Sequence, residues 1–428
     1  MWTPGTRLRY ENIAVVPAFS APATTKFSRG RRFNQSLMSG MGVPEAIWPA
    51  LIGETRLPSR DRATSAGILW AQTSSSKSGP RLTTPRRILL IRPSALGDVF
   101  RSVPVAASIA RRWPGVPLDW VVQTEFMDAV RAHPAVDRVI PFPRWELTGF
   151  WRPMDGWRRT ARFLRSLSNG YDLTIDAQGL ARSGAMAIFS GARRRVGFAD
   201  AREFGWLGLN QRVPVPAGLS AVDRMLSLIE GADIPPVPDL TLTVPADAEA
   251  GWAEWRSTHL GECSYAAMAP TSRWQSKEWP IKRWMQVADG LLESGKVGKI
   301  VVLGGPSEVD RLKNAVENRS DVEILAGQGP LARSMAAVRD ASIFLGNDSA
   351  MVHAAAGFDI PIVGLFGPTD PVECGPYGRL RDTLRAADVD EGVHYRDRGL
   401  GDEVMGRITV EEVMEAALDR LESDGPVQ

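Results

Sequence analysis

Arg86-Arg87-Ile88-Leu89-Leu90-Ile91-Arg92-Pro93-Ser94-Ala95-Leu96-Gly97-Asp98 is the stretch at which regular order begins in this chain. Ile88 to Ile91 is an unbroken apolar run ended by Pro93 and Gly97, the pattern of a strand buried on both faces of a parallel sheet. A helix is expected over Val103 to Arg112 and a second strand over Leu118 to Val122. Similar apolar runs recur at Arg138–Ile140, Leu173–Ile175 and Arg195–Phe198. Strands alternating with helical stretches predict βαβ units and a doubly wound parallel sheet. Pro235, Pro236, Pro238 and Pro245 then crowd the segment Ala232–Pro245, which suits an interdomain connector better than a core element. Beyond it strands are expected at Tyr265–Ala269, Lys299–Leu303, Glu323–Leu325, Ser342–Leu345 and Pro361–Phe366, with a last helix near Val410–Glu422. The fold class is therefore α/β, with two Rossmann-like halves over 81–240 and 241–428. Doubly wound sheets bind ligands beyond the carboxyl ends of their strands, so a cleft between two such edges suits an enzyme joining two substrates.

Of 428 residues, 44% are hydrophobic and 23% charged, a globular composition. The net charge of +2 is unevenly spread: residues 1–80 hold ten Lys/Arg against four acids, leaving 41 basic and 45 acidic residues elsewhere. The main body is thus slightly acidic, which excludes nucleic acid as its partner. Residues 1–80 have no sustained period and read as a poorly ordered basic extension. Met38 and Met41 are alternative starts within it, and an organelle transit peptide is the other reading. Neither a secretory signal nor an apolar run long enough to span a membrane is expected. Cys263 and Cys374 are too few for a disulfide framework, fit a reducing compartment, and read as ordinary small hydrophobes.

Four local motifs carry chemistry. Ser94-Ala95-Leu96-Gly97-Asp98 follows the first strand and opens a helix; Gly97 allows a tight turn, and Asp98 is either a helix cap or a catalytic base. Gly346-Asn347-Asp348-Ser349-Ala350-Met351-Val352-His353 runs from a strand into a small-residue helix. Its unpaired N–H groups suit a diphosphate, although an ordinary capped helix reads the same way. His353, four residues past Ser349, shares its helix face. Thr271…Lys277-Glu278-Trp279-Pro280 offers a compact cation for phosphate oxygens, or a solvated face. Gly304-Gly305-Pro306-Ser307-Glu308 places an acid where it could meet a ribose or stabilise its own helix.

Together these motifs resemble the bacterial lipopolysaccharide heptosyltransferases, glycosyltransferase family 9, over roughly residues 86 to 380. The matching residues are Ser94…Gly97-Asp98 with Pro104, Asp176-Ala177-Gln178-Gly179 with Arg182-Ser183, and Ala201-Arg202-Glu203. In the second half they are Thr271…Lys277-Glu278-Trp279-Pro280 with Trp284, Gly346-Asn347-Asp348-Ser349 with His353, and Leu365-Phe366-Gly367-Pro368-Thr369. The resemblance is strongest to the members that add the first inner-core heptose. It implies the GT-B arrangement, two Rossmann-like domains facing a central cleft, and an inverting transfer from ADP-heptose to an anionic Kdo–lipid A type acceptor; the alternative is a glycosyltransferase of the same family with a different nucleotide sugar or glycan acceptor. It further implies Asp98 as general base and Lys277 on the donor phosphates. Thr271, Glu308, Asp348, Ser349, Ala350, Met351 and His353 would complete the donor site, with Glu308 at the ribose. Ser94, Gly97, Gln178, Arg182 and Arg202 would serve the acceptor. Asn347 departs from the family pattern, which has a small or aliphatic residue there.

No metal or other cofactor is expected, because Lys277 and a helix terminus can stabilise the leaving group. Asp388-Val389-Asp390 reads as a solvated loop, and His133, His259 and His394 match no site. Neither a Walker-type loop nor Gly-x-Gly-x-x-Gly occurs, which disfavours a P-loop kinase and a dinucleotide oxidoreductase. The tract Arg144–Arg165 combines Arg144, Arg152, Arg158, Arg159, Arg162 and Arg165 with Trp145, Trp151 and Trp157. It suits a headgroup interface or an exposed amphipathic helix. With a glycolipid acceptor, the expected location is cytoplasmic, peripheral at the inner membrane.

Overall fold

The computed structural model describes residues 83–144, 155–316, 319–386 and 401–423. The extension 1–80, Trp145, Trp151, Arg152, Asp388-Val389-Asp390 and His394 lie outside them. Among the described residues twelve strands form two sheets. The first contains β1 (Ile88–Ile91), β2 (Leu118–Gln123), β3 (Arg138–Phe142), β4 (Leu173–Asp176), β5 (Arg194–Phe198) and β6 (Gln211–Val213). The second contains β7 (Tyr265–Ala269), β8 (Lys299–Val302), β9 (Val322–Ile324), β10 (Ile343–Asn347), β11 (Ile362–Phe366) and β12 (Thr383–Arg385).

The orders are β3-β2-β1-β4-β5-β6 and β12-β11-β10-β7-β8-β9, and every pair is parallel. Numbered within its own half, each sheet has the order 3-2-1-4-5-6 of the dinucleotide-binding fold. The order in which strands are added reverses between β1 and β4, and again between β7 and β10, while all strands stay parallel. The connections there leave toward opposite faces, opening a crevice at the carboxyl edge of each sheet.

The central strands β1, β2, β4, β7, β10 and β11 are buried along their length, as their apolar runs require. β6 and β12 were not expected from the sequence. Each is a three-residue edge strand with polar residues, too short for a periodic signal. Ala232–Pro245 carries neither helix nor strand, and Leu242 N–H donates to the Gly357 carbonyl at 3.1 Å. One apolar core runs from β1 through Trp252 to Phe344 and Val352. A second, on the other face of the second sheet, holds Trp279 and Trp284 edge to face at 5.1 Å. A third lies on the opposite face of the first sheet, under the helices Asp155–Ser166 and Ala181–Phe189. The cysteines are not core hydrophobes: Cys263 is exposed and Cys374 half-buried.

Candidate active site

The loops after β1, β4, β7 and β10 flank the two crevices, and they carry most of the residues singled out by sequence. A cavity of about 580 Å³ is lined from the second half by Thr271, Lys277 and Glu308, and by Asp348, Ser349, Ala350 and Met351. Ala95, Leu96 and Gly97 close it from the first half.

Lys277 pairs with Asp348 at 2.5 Å, with both side chains mostly buried. The same Asp348 oxygen accepts from Thr369 Oγ1 at 2.7 Å. Ser349 precedes the helix Ala350–Gly357 in extended backbone, but its hydroxyl makes no capping bond. Ser349 Oγ is buried without a hydrogen-bond partner among the described residues. The first N–H groups of the helix therefore remain for another acceptor. Glu308 stabilises its own turn, accepting from Gly305 N–H at 2.6 Å, and also accepts from Thr271 Oγ1 at 2.8 Å while lining the cavity.

Asp98 opens on the other side. It lines a second cavity of about 450 Å³ together with Arg92, Gln178, Arg202 and Arg224. Its two sequence readings prove compatible. Oδ2 accepts from Ala95 N–H at 3.2 Å, which caps the helix Leu96–Phe100, and 28% of the side chain stays exposed. Arg92 Nη2 lies 3.1 Å from one carboxylate oxygen and Arg101 Nη2 2.5 Å from the other. Burial pushes the Asp98 carboxyl up, but the Arg92 and Arg101 guanidiniums and the Ala95 N–H outweigh it and hold the group at about 2. Arg92 is itself fixed by donating to the Ala177 carbonyl after β4. Asp176, fully buried, accepts from Gln178 and Gly179 N–H and from Ser183 Oγ, tying the β4 loop. Gln178 Oε1 then accepts from Ser94 N–H at 3.2 Å, so the loops after β1 and β4 are joined.

Three expectations need revision. Gly97 takes no left-handed conformation; it is helical and lines the cavity of Lys277 and Asp348, not the one that holds Asp98. The approach is close there: a Cβ would stand 3.1 Å from His353 Cδ2, so the imidazole would have to give by a few tenths of an ångström, and 3.5 Å from Ala350 Cα, an ordinary contact. His353 is consequently buried against Gly97 and absent from the cavity wall. Burial, reinforced by the Arg101 charge, lowers its imidazole to about 3, so it is neutral at physiological pH. Ser94 and Arg182 line neither cavity: Ser94 is buried under the loop, and Arg182 sits outside, half-buried.

Sequence reasoning missed Arg92, Arg101 and Arg224. Arg101 was recoverable, since it lies one helical turn after Asp98. Arg92 and Arg224 had no local signal. Arg224 reaches the cavity from a distant helix, paired with Asp200 at 2.6 Å and stacked 4.2 Å over the Phe198 ring. Among the described residues no group of three or more His, Cys, Asp or Glu is placed to hold a metal ion. His133 is buried, and His259 stacks on Trp255 at 4.4 Å, so neither faces the site.

Asn347 is fully buried and bridges two loops. Its Oδ1 accepts from Trp279 N–H at 3.1 Å and its Nδ2 donates to the Pro270 carbonyl at 2.7 Å. The amide thus pins the loop that carries Lys277 to the end of β10. Asn347→Leu keeps the size but orphans both backbone groups. It should destabilise the fold by roughly 2–4 kcal/mol, read as a lower urea midpoint; an unchanged midpoint would rule out the bridge.

The sequence matches glycosyltransferase family 9 (heptosyltransferase) over residues 160–394. Lipopolysaccharide heptosyltransferase 1 of Pseudomonas aeruginosa is 32% identical over 309 residues, covering 68% of this chain and 82% of that protein. The protein of the same name from Escherichia coli K12 is 30% identical over 312 residues, covering 70% and 93%. The chain belongs to glycosyltransferase family 9. As a family 9 glycosyltransferase it shares its fold with solved members. The structure of E. coli heptosyltransferase WaaC with ADP superposes with a TM-score of 0.63 at 25% identity, covering 78% of this chain and 99% of that one. The family 9 glycosyltransferase of Veillonella parvula gives 0.65 at 20% identity, covering 79% and 98%. Among the described residues of this glycosyltransferase, no helix is long and apolar enough to cross a membrane.

Proposed function

We propose that this glycosyltransferase transfers heptose from ADP-heptose to an anionic Kdo–lipid A type acceptor, with inversion at the anomeric carbon. The observation that carries the reading is the position of Asp98 at the wall between two cavities. The residues expected to hold a donor line one, and arginines line the other. Residues 241–428 hold the nucleotide sugar and 81–240 the acceptor. The diphosphate rests on the N-terminus of the helix Ala350–Gly357, whose dipole favours negative charge. Lys277 lies beside it, and Glu308 meets the ribose. Arg92, Arg202 and Arg224 outnumber Asp98 and Asp200 in the acceptor cavity and leave it the net positive charge an anionic sugar needs.

In the reaction the acceptor hydroxyl oxygen attacks the anomeric carbon from the face opposite ADP. The new carbon–oxygen bond forms as the bond to the diphosphate breaks, and Asp98 takes the hydroxyl proton. The electron pair leaves on ADP, where Lys277 and the helix terminus stabilise it. That fixed positive charge does the work of a divalent cation, so no metal or other cofactor is required. The enzyme works at the inner face of the cytoplasmic membrane as a peripheral protein, where such an acceptor presents its sugar.

Calorimetric titration with ADP-heptose, UDP-glucose and GDP-mannose tests the donor assignment. The ADP sugar should bind at least about tenfold more tightly than the others, a difference of ~1.4 kcal/mol. Equal affinities, or preference for a uridine or guanosine sugar, would transfer the enzyme to another pathway.

A further inference from the structure

The outer face of the first sheet carries a cluster that the chemistry does not use. Ile188 and Phe189 are 51% and 45% exposed at the end of the helix Ala181–Phe189, and Phe204 and Leu207 are 72% and 60% exposed beside it. These are four of the six large apolar side chains that stand out in solvent among the described residues. They sit on two elements packed backbone to backbone. A Cβ on Gly184 would collide with the Gly205 carbonyl, and one on Gly208 with the Gly184 carbonyl. Ala181 and Ala185 share the helix face of Ile188.

Phe204 pays twice for its position, since it is exposed and held at φ +60, next to Glu203 at φ +53. The left-handed region is unfavourable for a bulky residue, and such strain persists where it serves a function. A partner that receives the ring would account for both costs.

Charge identifies the partner. The helix Asp155–Ser166 covers the same face of the sheet, its Phe163 and Leu164 packing on the core that contains Met186. Arg158, Arg162 and Arg165, one helical stripe opposite that contact, are exposed toward solvent. Arg202 and Arg212 border the Phe204–Leu207 turn, Arg212 lying 4.4 Å over the Trp206 ring. An apolar strip edged by arginines fits the headgroup–acyl boundary of an anionic bilayer. Arg202 also lines the acceptor-side cavity, so the strip leads toward the place a membrane-embedded acceptor must enter.

We propose that Ile188, Phe189, Phe204 and Leu207, edged by Arg158, Arg162 and Arg165, form the face by which this enzyme docks on an anionic lipid bilayer. The proposal rests on the peripheral-membrane reading above and gives it a surface.

The test is cosedimentation of the full chain with vesicles of phosphatidylethanolamine and phosphatidylglycerol, against phosphatidylcholine alone. Phe204→Ser with Leu207→Ser, and separately Arg158→Glu with Arg162→Glu and Arg165→Glu, should each weaken binding to anionic vesicles at least about tenfold. Raised salt should weaken the wild type in the same way. ADP-heptose affinity, measured by calorimetry, should be unchanged in both variants, which certifies their fold. Retained vesicle binding in the variants would overturn the docking face. So would equal wild-type binding to neutral vesicles, or a wild-type dimer that the serine variant dissociates. If donor affinity stands while vesicle binding fails, the docking face falls and the transferase reading does not. Loss of donor affinity in the wild type would sink that reading instead.

Discussion

Replacing Asp98 by asparagine is expected to lower kcat by about 100- to 10,000-fold, the usual contribution of a positioned proton acceptor. ADP-heptose affinity should hardly move, because Asp98 opens onto the cavity opposite the donor residues. Asparagine keeps the shape and an oxygen for the Ala95 N–H, so the helix start survives. What it loses is the carboxylate between Arg92 and Arg101. A kcat within a few fold of wild type would dismiss Asp98 as the base.

The same two arginines make a pH prediction. A base must be ionised to act, and Asp98 is held at about 2. The acid limb of kcat/KM due to this group therefore lies far below neutral pH. Arg101→Gln removes the cation 2.5 Å from Oδ1, which makes protonation easier and raises the Asp98 pKa. Activity should then fail at a higher pH than in wild type. A limb that does not move would show that Arg101 fails to tune the base. The clamp also makes Asp98 a weak base for proton transfer. A negatively charged acceptor group competing for Arg92 or Arg101 would strengthen it as the substrate arrives.

Lys277→Ala has the second largest expected effect, and it acts in two ways. A charge-assisted bond to phosphate is worth roughly 1.5–3 kcal/mol, so donor affinity should fall about 10- to 100-fold. The lysine also balances Asp348, whose side chain is only 9% exposed. Breaking a buried pair on one side leaves an uncompensated charge and can cost about 3–5 kcal/mol of stability. Lys277→Ala with Asp348→Asn separates the two effects. The double variant should recover most of the lost stability, while its donor affinity stays low. Full recovery of affinity in the double variant would mean that Lys277 serves the fold and not the phosphates.

The strand Tyr265–Ala269 coincides with its predicted bounds, and the other predicted strands begin or end within two residues of theirs. Buried parallel strands are written as continuous apolar runs, a property of neighbouring residues that needs no tertiary knowledge. The motif spacing of Asp98, Lys277 and Asp348 likewise pointed to a family because each lies at a strand-to-helix turn. The edge strands Gln211–Val213 and Thr383–Arg385 escaped, since only hydrogen bonds to a neighbouring strand make them strands.

The sequence by itself therefore determined two doubly wound halves, a connector rich in proline, and the identity of the chemical groups. Tertiary structure alone decided what those groups experience. Asp98 is clamped because Arg92, held by the Ala177 carbonyl after β4, converges on it beside the locally placed Arg101. Gly97 meets His353, 256 positions away in the chain, so closely that a Cβ would stand 3.1 Å from the imidazole. Asn347 is an amide because the backbone of Pro270 and Trp279 leaves a donor and an acceptor to be paired. Local periodicity reports which face of an element is buried. Electrostatics and close packing depend on which loops meet at the two strand reversals, and those meetings join residues that no local pattern connects.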